Sequence, residues 1–370
     1  MKLSVIVACL VAGFAVLFAI PPRQVDWDGH VLPMLRAYAG KEGDQPLQGK
    51  TIVITGATSG IGKALTVKLA GFGASVIAMG RSESKLATLR EEVPGVQTVR
   101  ADMIDLEDVS RAADEVGALV GDSIDILVNN AGMVPGPKPV VSPQGFDETF
   151  VVNYLSHVLL SEKLNPWIVN STRPVIAHIA SSYHWQSDGS DLDASQSDGP
   201  IFSQPIDSSL RVQRAYPNSK LAQILYGKAT AHRSHPARIV SICPGWVGTN
   251  IAHRQDDSVG VTLMNVFGYP VDGWGLASFF EATFGNDTES DFYMNSGLFT
   301  FLPRFADALP KWTSTYYIRD ALVTVMALTL LPTQRLWPWA GPFPSSVASQ
   351  NTTLQDSLHA WSLNAVSKYM

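Results

Sequence analysis

Cysteine is nearly absent: there are two in 370 residues, Cys9 and Cys243. Two such distant residues build no disulfide framework and no zinc-ligand spacing, so no metal site is expected. Basic runs are missing as well. Asp and Glu outnumber Lys and Arg, the net charge is −6, and no cationic stripe exists to follow a phosphate backbone, which argues against nucleic acid as a partner. No self-similar repeat of roughly 20–50 residues is visible, which excludes solenoids and propellers. What the chain has is apolar mass. With 46% hydrophobic and 16% charged residues, it can bury a large core in one large domain or two small ones.

The N-terminus stands apart. The stretch "LSVIVACLVAGFAVLFAI", 3–20, carries no charge. As a helix it would span roughly 27 Å, close to the ~30 Å of a hydrocarbon core. Pro21 and Pro22 end it. A cleaved signal peptide is one reading. A retained anchor is favoured, because the stretch is long for a signal core and no clean small-x-small site precedes the prolines. Lys2 on one side and Arg23 beside Asp26 and Asp28 on the other leave orientation poorly encoded. The expected division is an anchor or signal segment at 1–22, a linker at 23–49, the main folded domain at 50–300 and a C-terminal extension at 301–370 packed on it. An anchor of this kind points to the endoplasmic reticulum, and a cleaved one to secretion. The run "ALVTVMALTLL", 321–331, is too short to span a bilayer. It reads as a core or capping helix or, with Trp337 and Trp339 after it, as a membrane-surface contact. Asn170, Asn286 and Asn351 begin Asn-x-Ser/Thr triplets.

From residue 51 the pattern alternates. Strands are expected at 51–55, 75–79, 96–100, 124–129, 175–180 and 238–243, and helices at 63–72, 83–92, 106–116, 147–164 and 219–231. Near-continuous apolar strands separated by helices predict an α/β fold: a doubly wound, Rossmann-type parallel sheet with helices on both faces. After about residue 255 the pattern weakens.

The joint after the first strand, "TIVITGATSGIGKAL", holds Gly56, Gly60 and Gly62. A dinucleotide pyrophosphate must come close to backbone, and a helix N-terminus offers free N–H groups and a positive dipole end. Glycines permit the tight turn, remove the Cβ that would block approach, and let the helix pack on its strand. Alone the motif is weak, but a strand before it and a helix after it supply the required context.

Further motifs follow in order: "NNAG" at 129–132, "VVNYLSH" at 151–157, "SS" at 181–182, "YPNSK" at 216–220 and "CPGWVGTN" at 243–250. As a set, from about 48 to 255, they resemble the short-chain dehydrogenase/reductase family. The long interval between Ser182 and Tyr216, and "HAWSLNAV" near the end, resemble its retinol-dehydrogenase-like branch, which acts on lipophilic alcohols and carbonyls.

The resemblance implies a catalytic set of Asn153, Ser182, Tyr216 and Lys220. Tyr216 and Lys220 are four apart and share a helix face. A nearby ammonium is expected to lower the tyrosine pKa from near 10 and make it a usable acid–base group. Lys220 can also donate to the nicotinamide ribose. Adjacent serines at a strand end face opposite ways, so one of the pair meets the substrate oxygen. The family pattern favours Ser182, with Ser181 the alternative. Asn153 would bind a water linking the lysine to solvent. His157 is expected to be a packed residue without a role.

For the cofactor, the resemblance implies Gly56, Thr58, Ser59, Gly60, Ile61 and Gly62 in the first turn. It implies Arg81 after the second strand, and Asp102 and Met103 at the adenine. Asn129, Asn130, Ala131 and Gly132 follow at the fourth strand, then Tyr216 and Lys220, and Pro244, Gly245, Val247 and Thr249 over the nicotinamide. At the end of the second strand an acid would hold the ribose of NAD, and a cation the 2′-phosphate of NADP. Gly80 stands in the acid's place and Arg81 follows. An arginine grips phosphate bidentately. Ser59 is not the second basic residue that some NADP-specific members carry. The expected cofactor is NADP, with NAD as the alternative.

The implied function is an NADP-dependent oxidoreductase interconverting an alcohol and a carbonyl, on a lipophilic small molecule such as a retinoid, steroid or aldehyde. A catalytically silent binding protein on the same fold is the alternative; an intact Asn, Ser, Tyr and Lys set argues against it. A sugar-nucleotide epimerase or dehydratase shares Tyr-x-x-x-Lys but typically carries T-G-x-x-G-x-x-G, which this chain lacks.

Overall fold

The computed structural model describes residues 25–136, 138–195, 199–203, 209–245, 247, 251, 271, 273–285, 292–296, 339–342 and 345–370. The apolar segment 3–20, Thr249, Asn286, the 321–331 run and Trp337 lie outside them. Among the described residues no helix is long and apolar enough to cross a membrane.

Branched, apolar runs form the strands β1 (Thr51–Thr55), β2 (Ser75–Gly80), β3 (Gln97–Arg100), β4 (Ile126–Asn129), β5 (Val175–Ile179) and β6 (Arg238–Cys243). Two more, β7 (Phe292–Ser296) and β8 (Trp339–Pro342), lie where the sequence pattern fades. The sheet order is β3-β2-β1-β4-β5-β6-β7-β8. All neighbours are parallel except β8, which runs antiparallel to β7.

The strands are buried on both faces, and their side chains alternate between two cores. Val53, Ile77, Val99, Leu127 and Ile176 belong to one core. It is closed by α4 (Leu106–Leu119), α5 (Ser156–Ile168), α6 (Ser209–His232) and α8 (Thr352–Val366). Ile52, Ile54, Val76, Ile126, Val128 and Val240 belong to the other. That face is covered by α1 (Leu32–Ala39), α2 (Gly60–Gly71), α3 (Glu83–Glu92) and α7 (Trp274–Phe284).

Three expectations need correction. The described part of 23–49 is no linker: Leu35 and Leu47 are fully buried, and Tyr38 meets Phe284 edge-on at 4.9 Å. These apolar side chains complete the second core instead of hanging in solvent. Second, α6 begins ten residues before the expected start and runs through Pro217. A proline removes one helical N–H but need not end a helix whose far side is packed. Third, the sheet extends past β6, because β7 and β8 are recruited by long-range pairing and not by local pattern.

Candidate active site

The sheet reverses its winding between β1 and β4, and the turns leaving those strands form a crevice at their carboxyl ends. Gly56 leaves β1 at φ +65°, and a Cβ there would lie 2.9 Å from the Ala131 Cα. A Cβ on Gly62 would lie 2.4 Å from the Gly56 carbonyl oxygen. Both glycines are therefore required by packing of the two turns. Thr55 and Asn130 fasten them. The Thr55 Oγ1 accepts from the Asn130 and Ala131 N–H groups, both at 2.9 Å, and the Asn130 Nδ2 donates to the Thr55 carbonyl at 2.8 Å.

The first turn of α2 opens onto this crevice. Ser59 takes the cap position without a side-chain hydrogen bond, and no acid lies in the first turn. By contrast, Ser82 caps α3 and Asp105 caps α4, each followed by acidic residues. The bare donors of α2 and the glycine turn fit a pyrophosphate. Thr58 leans over the end of β2, where a Cβ on Gly80 would lie 2.7 Å from its Cγ2. That contact explains a glycine in the place of an acid. Arg81 beyond it is exposed. Asp102 is half-buried, and its Oδ1 accepts from the Ile104 N–H at 3.3 Å. Met103 is buried, its carbonyl held by Ser156 at 2.5 Å.

Asn129 departs from its expected place at the cofactor. It is fully buried on β4, where its Nδ2 lies 3.1 Å from Ser161 Oγ and 3.3 Å from His178 Nδ1. Strand alternation turns it into the core and leaves the turn to Asn130. Val247 also points inward: a Cβ on Gly275 of α7 would lie 2.8 Å from its Cγ2. Gly245 takes φ +81° in the turn after β6, with Pro244 before it half-buried.

Tyr216 and Lys220 share one face of α6, with the lysine Nζ 5.7 Å from the tyrosine ring centroid. The Nζ donates to the Ile179 carbonyl at 2.7 Å and to Gln223 Oε1 at 3.1 Å. Asn153 sits in a π-helical segment, Val151–Leu155, that precedes α5. Such widened turns are rare and recur at functional sites. Its amide bonds both the N–H and the carbonyl of Met133, at 2.8 and 2.9 Å, and donates to Ser219 at 2.9 Å. A Cβ on Gly132 would lie 3.5 Å from both Asn153 Oδ1 and Lys220 Nζ, so the "NNAG" turn, the π segment and α6 converge there. His157 is packed, 3.1 Å from Thr55 and 3.0 Å from the Asn153 carbonyl.

The serines are placed differently from the family-based expectation. Ser181 is the serine that acts on the Tyr216 hydroxyl, drawing its pKa down against burial. Ser181 is extended, at φ −159° and ψ 149°, and opens the 3-10 turn Ser182–Gln186. Alternation then sends Ser182 to the other side, where its N–H lies 3.2 Å from the Cys243 sulfur. Tyr183 stands edge-on to Tyr216 at 5.9 Å and is 38% exposed, an open aromatic ring beside the phenol.

The electrostatics also differ from expectation. Burial holds the Tyr216 phenol above its ordinary value, against a lowering by the Ser181 hydrogen bond. Lys220 is not among the groups that lower it. Its own pKa is pushed down to about 7 by burial, so near neutrality the amine is only partly charged. Tyr216 keeps an exposed edge, whereas Lys220 is closed off. Sequence reasoning missed Thr55, Gln223 and the Ser182–Cys243 pair. Only Thr55 had a local signal, a hydroxyl at a strand end directly before the first glycine. Among the described residues no cluster of three His, Cys, Asp or Glu could hold a metal ion.

Residues 50–187 match the family described as short chain dehydrogenase. An uncharacterized oxidoreductase, C736.13, of Schizosaccharomyces pombe is 31% identical over 274 residues, covering 69% of this chain and 77% of that protein. Retinol dehydrogenase 13 of Mus musculus is 30% identical over 218 residues, 56% of this chain and 61% of that protein. An 11-beta-hydroxysteroid dehydrogenase A of Sesamum indicum is 31% identical over 179 residues, 46% and 49% of the two chains. The matches therefore span half to about three-fifths of those last two relatives. A solved structure from Mycobacterium paratuberculosis superimposes with a TM-score of 0.58 at 23% identity, covering 87% of this chain and 94% of that one. A short chain dehydrogenase from Pseudomonas syringae gives 0.51 at 21% identity, covering 67% and 94%. Those two structures share the fold. The chain thus belongs to the short-chain dehydrogenase/reductase family of NAD(P)-dependent oxidoreductases, and is retinol-dehydrogenase-like within it.

Proposed function

We propose that this protein interconverts an alcohol and a carbonyl on a lipophilic substrate with NADP as its cofactor. The observation that carries the reading is Tyr216 with Lys220 one turn along the same helix face and the Ser181–Tyr183 turn against its ring. Two hydroxyls meeting at the end of a crevice can hold one substrate oxygen and exchange a proton with it.

Gly56, Gly60, Gly62 and the open α2 terminus would hold the pyrophosphate. Asp102 would lie toward the adenine, and the turn at Pro244 and Gly245 toward the nicotinamide. Arg81, an exposed cation with no acid at position 80, favours a 2′-phosphate. When bound, the nicotinamide would supply or accept the hydride.

In the reducing direction the substrate oxygen gains negative charge. Tyr216 supplies its proton, Ser181 donates a hydrogen bond to the oxygen, and Lys220 lies close enough to restore the phenol. With a pKa near 7, the lysine can hand on a proton without a large energetic penalty. Asn153 fixes the Met133 turn and the Ser219 hydroxyl beneath the lysine.

Lipophilicity rests on the open Tyr183 ring beside Tyr216. Relatives named retinol dehydrogenase 13, retinol dehydrogenase 14 and 11-beta-hydroxysteroid dehydrogenase A point the same way. The apolar segment 3–20 would hold the enzyme at the endoplasmic reticulum membrane, where such substrates partition. The test is a screen of the purified protein with NADPH or NADH against retinal, ketosteroids and aliphatic aldehydes. No oxidation of either cofactor with any of them would defeat the assignment.

A further inference from the structure

His184 is fully buried in the 3-10 turn that follows Ser181. Its Nδ1 lies 2.7 Å from the Ser181 carbonyl oxygen. Its Nε2 lies 3.1 Å from the Ser346 main-chain nitrogen, which donates to it. A carbonyl only accepts and an amide N–H only donates. The ring is therefore fixed as the neutral tautomer that carries its proton on Nδ1. It is wedged against Phe292 of β7 at 4.9 Å and Trp185 at 4.8 Å, so it has no freedom to flip.

Each end of this bridge is anchored. The Ser181 carbonyl also accepts the His184 N–H, at 3.1 Å, so two donors clamp one peptide plane. That plane aims the Ser181 side chain, whose Oγ accepts the N–H of Tyr183 at 3.2 Å, and the Tyr183 ring stands edge-on to Tyr216 at 5.9 Å. At the other end, the Ser349 hydroxyl bonds the Ser346 carbonyl at 2.6 Å, and Gln355 of α8 bonds the Ser349 carbonyl at 2.8 Å. Helix α8 in turn lies on α6, with His359 stacked on Tyr226 at 5.4 Å, and its Ser362 bonds Tyr154 of the π-helical segment at 2.7 Å.

We propose that His184 is a positioning residue for the reaction: bridging Ser346 and Ser181, it makes the C-terminal segment 345–370 part of the frame that holds the Ser181 hydroxyl against Tyr216. The inference rests on the role given to Ser181 above. Small misplacements of a hydrogen-bonding group at a reacting atom are costly, so a loosened Ser181 peptide lowers turnover more than binding.

Two near-isosteres separate the two arms of the bridge. His184→Asn keeps a donor where Nδ1 lies and loses the acceptor for Ser346; His184→Gln keeps an acceptor where Nε2 lies and loses the donor to Ser181. Turnover with NADPH of the carbonyl compound returned by the screen, and NADPH affinity by fluorescence, are measured for both, for Ser181→Ala and for Ser181→Ala/His184→Gln. We expect His184→Gln and His184→Asn each to lose about tenfold in kcat with NADPH affinity within about twofold, since either breaks the bridge; wild-type turnover by His184→Asn removes the C-terminal segment from the frame and overturns the proposal. On the Ser181→Ala background, His184→Gln should cost nothing further, since it acts through a hydroxyl already removed. Losses that multiply, with Ser181→Ala itself impaired, overturn the positioning role and leave the Ser181 assignment standing. Wild-type turnover by Ser181→Ala overturns both.

A measurement without substrate guards against variants that fail to fold. In the 15N imidazole spectrum of the wild type, His184 should show a protonated Nδ1 and a bare Nε2 at pH 7, and the Ser346 amide should exchange slowly. The opposite tautomer, a charged ring, or a freely exchanging Ser346 amide refutes the bridge.

Discussion

Ser182 sets its main-chain N–H 3.2 Å from the Cys243 sulfur. The contact draws Ser182 away from the phenol that its neighbour Ser181 meets. Replacing each serine by alanine discriminates them. Ser181→Ala should cut kcat by about 10²-fold or more, as for loss of one donor to a developing oxyanion. Ser182→Ala should cost less than about tenfold, through looser packing at the end of β6. Steady-state kinetics of both variants with NADPH decides it, and the reverse ranking restores Ser182 to the substrate.

Tyr216→Phe removes one hydroxyl and keeps the ring. It should retain fold and NADPH affinity and lose turnover by about 10²-fold or more. Lys220→Ala should weaken both, because its amine reaches the Ile179 carbonyl, Gln223 and the tyrosine. Near wild-type turnover by Tyr216→Phe would mean that the proton comes from another group.

Arg81→Asp should weaken NADP more than NAD by about ten- to a hundredfold, as expected for one charge-assisted bond of about 1.5–3 kcal/mol. Paired titrations of both cofactors measure the shift. A wild type that binds NAD more tightly than NADP would contradict the role given to this arginine.

Acid should destabilise the fold through its buried histidines. Burial lowers His157 and His178 to about 3 and His184 to about 4, from 6.5. Between those values and 6.5 the unfolded chain binds more protons than the folded one, so stability falls as pH drops. At pH 5 each costs about 2 kcal/mol relative to pH 7. Asp147 opposes this. Burial raises it from 3.8 to about 6, which favours the folded state toward acid and returns about 1.5 kcal/mol over the same range. The balance is a loss of several kcal/mol. Urea unfolding of the described fold at pH 7 and pH 5 reads it directly; equal midpoints and slopes would mean that these rings are hydrated or charged.

For the N-terminal segment, carbonate extraction should leave the full chain in the membrane pellet. Release into the soluble fraction, or a mature N-terminus near Pro21, would show that 3–20 is not an anchor.

The sequence makes the glycine turn and the Tyr216–Lys220 face legible, because both depend on spacing: three glycines between a strand and a helix, and four residues along a helix. It also shows that Ser181 and Ser182 must face opposite ways. Which of them meets Tyr216 is decided by Cys243, 61 residues away and silent in any local pattern. Asn129 and Asn130 look equivalent on paper, but the strand end buries one and spends the other on Thr55. Nothing local ahead of Pro217 announces that α6 starts at Ser209. β7 and β8 pair across 42 intervening residues, 297–338, so neither carries a local signature of its partner.

The tie between His184 and Ser346 sets an order on biosynthesis. The ribosome completes Tyr216 and Lys220 well before it reaches the segment that props the Ser181 turn. A nascent chain released as far as β6 can acquire the glycine turn and the reactive helix, yet it still lacks the residues that lock them into register. A premature stop between codons 251 and 346 would therefore yield a polypeptide that keeps the glycine turn and the Tyr216–Lys220 helix and lacks the brace that aligns them.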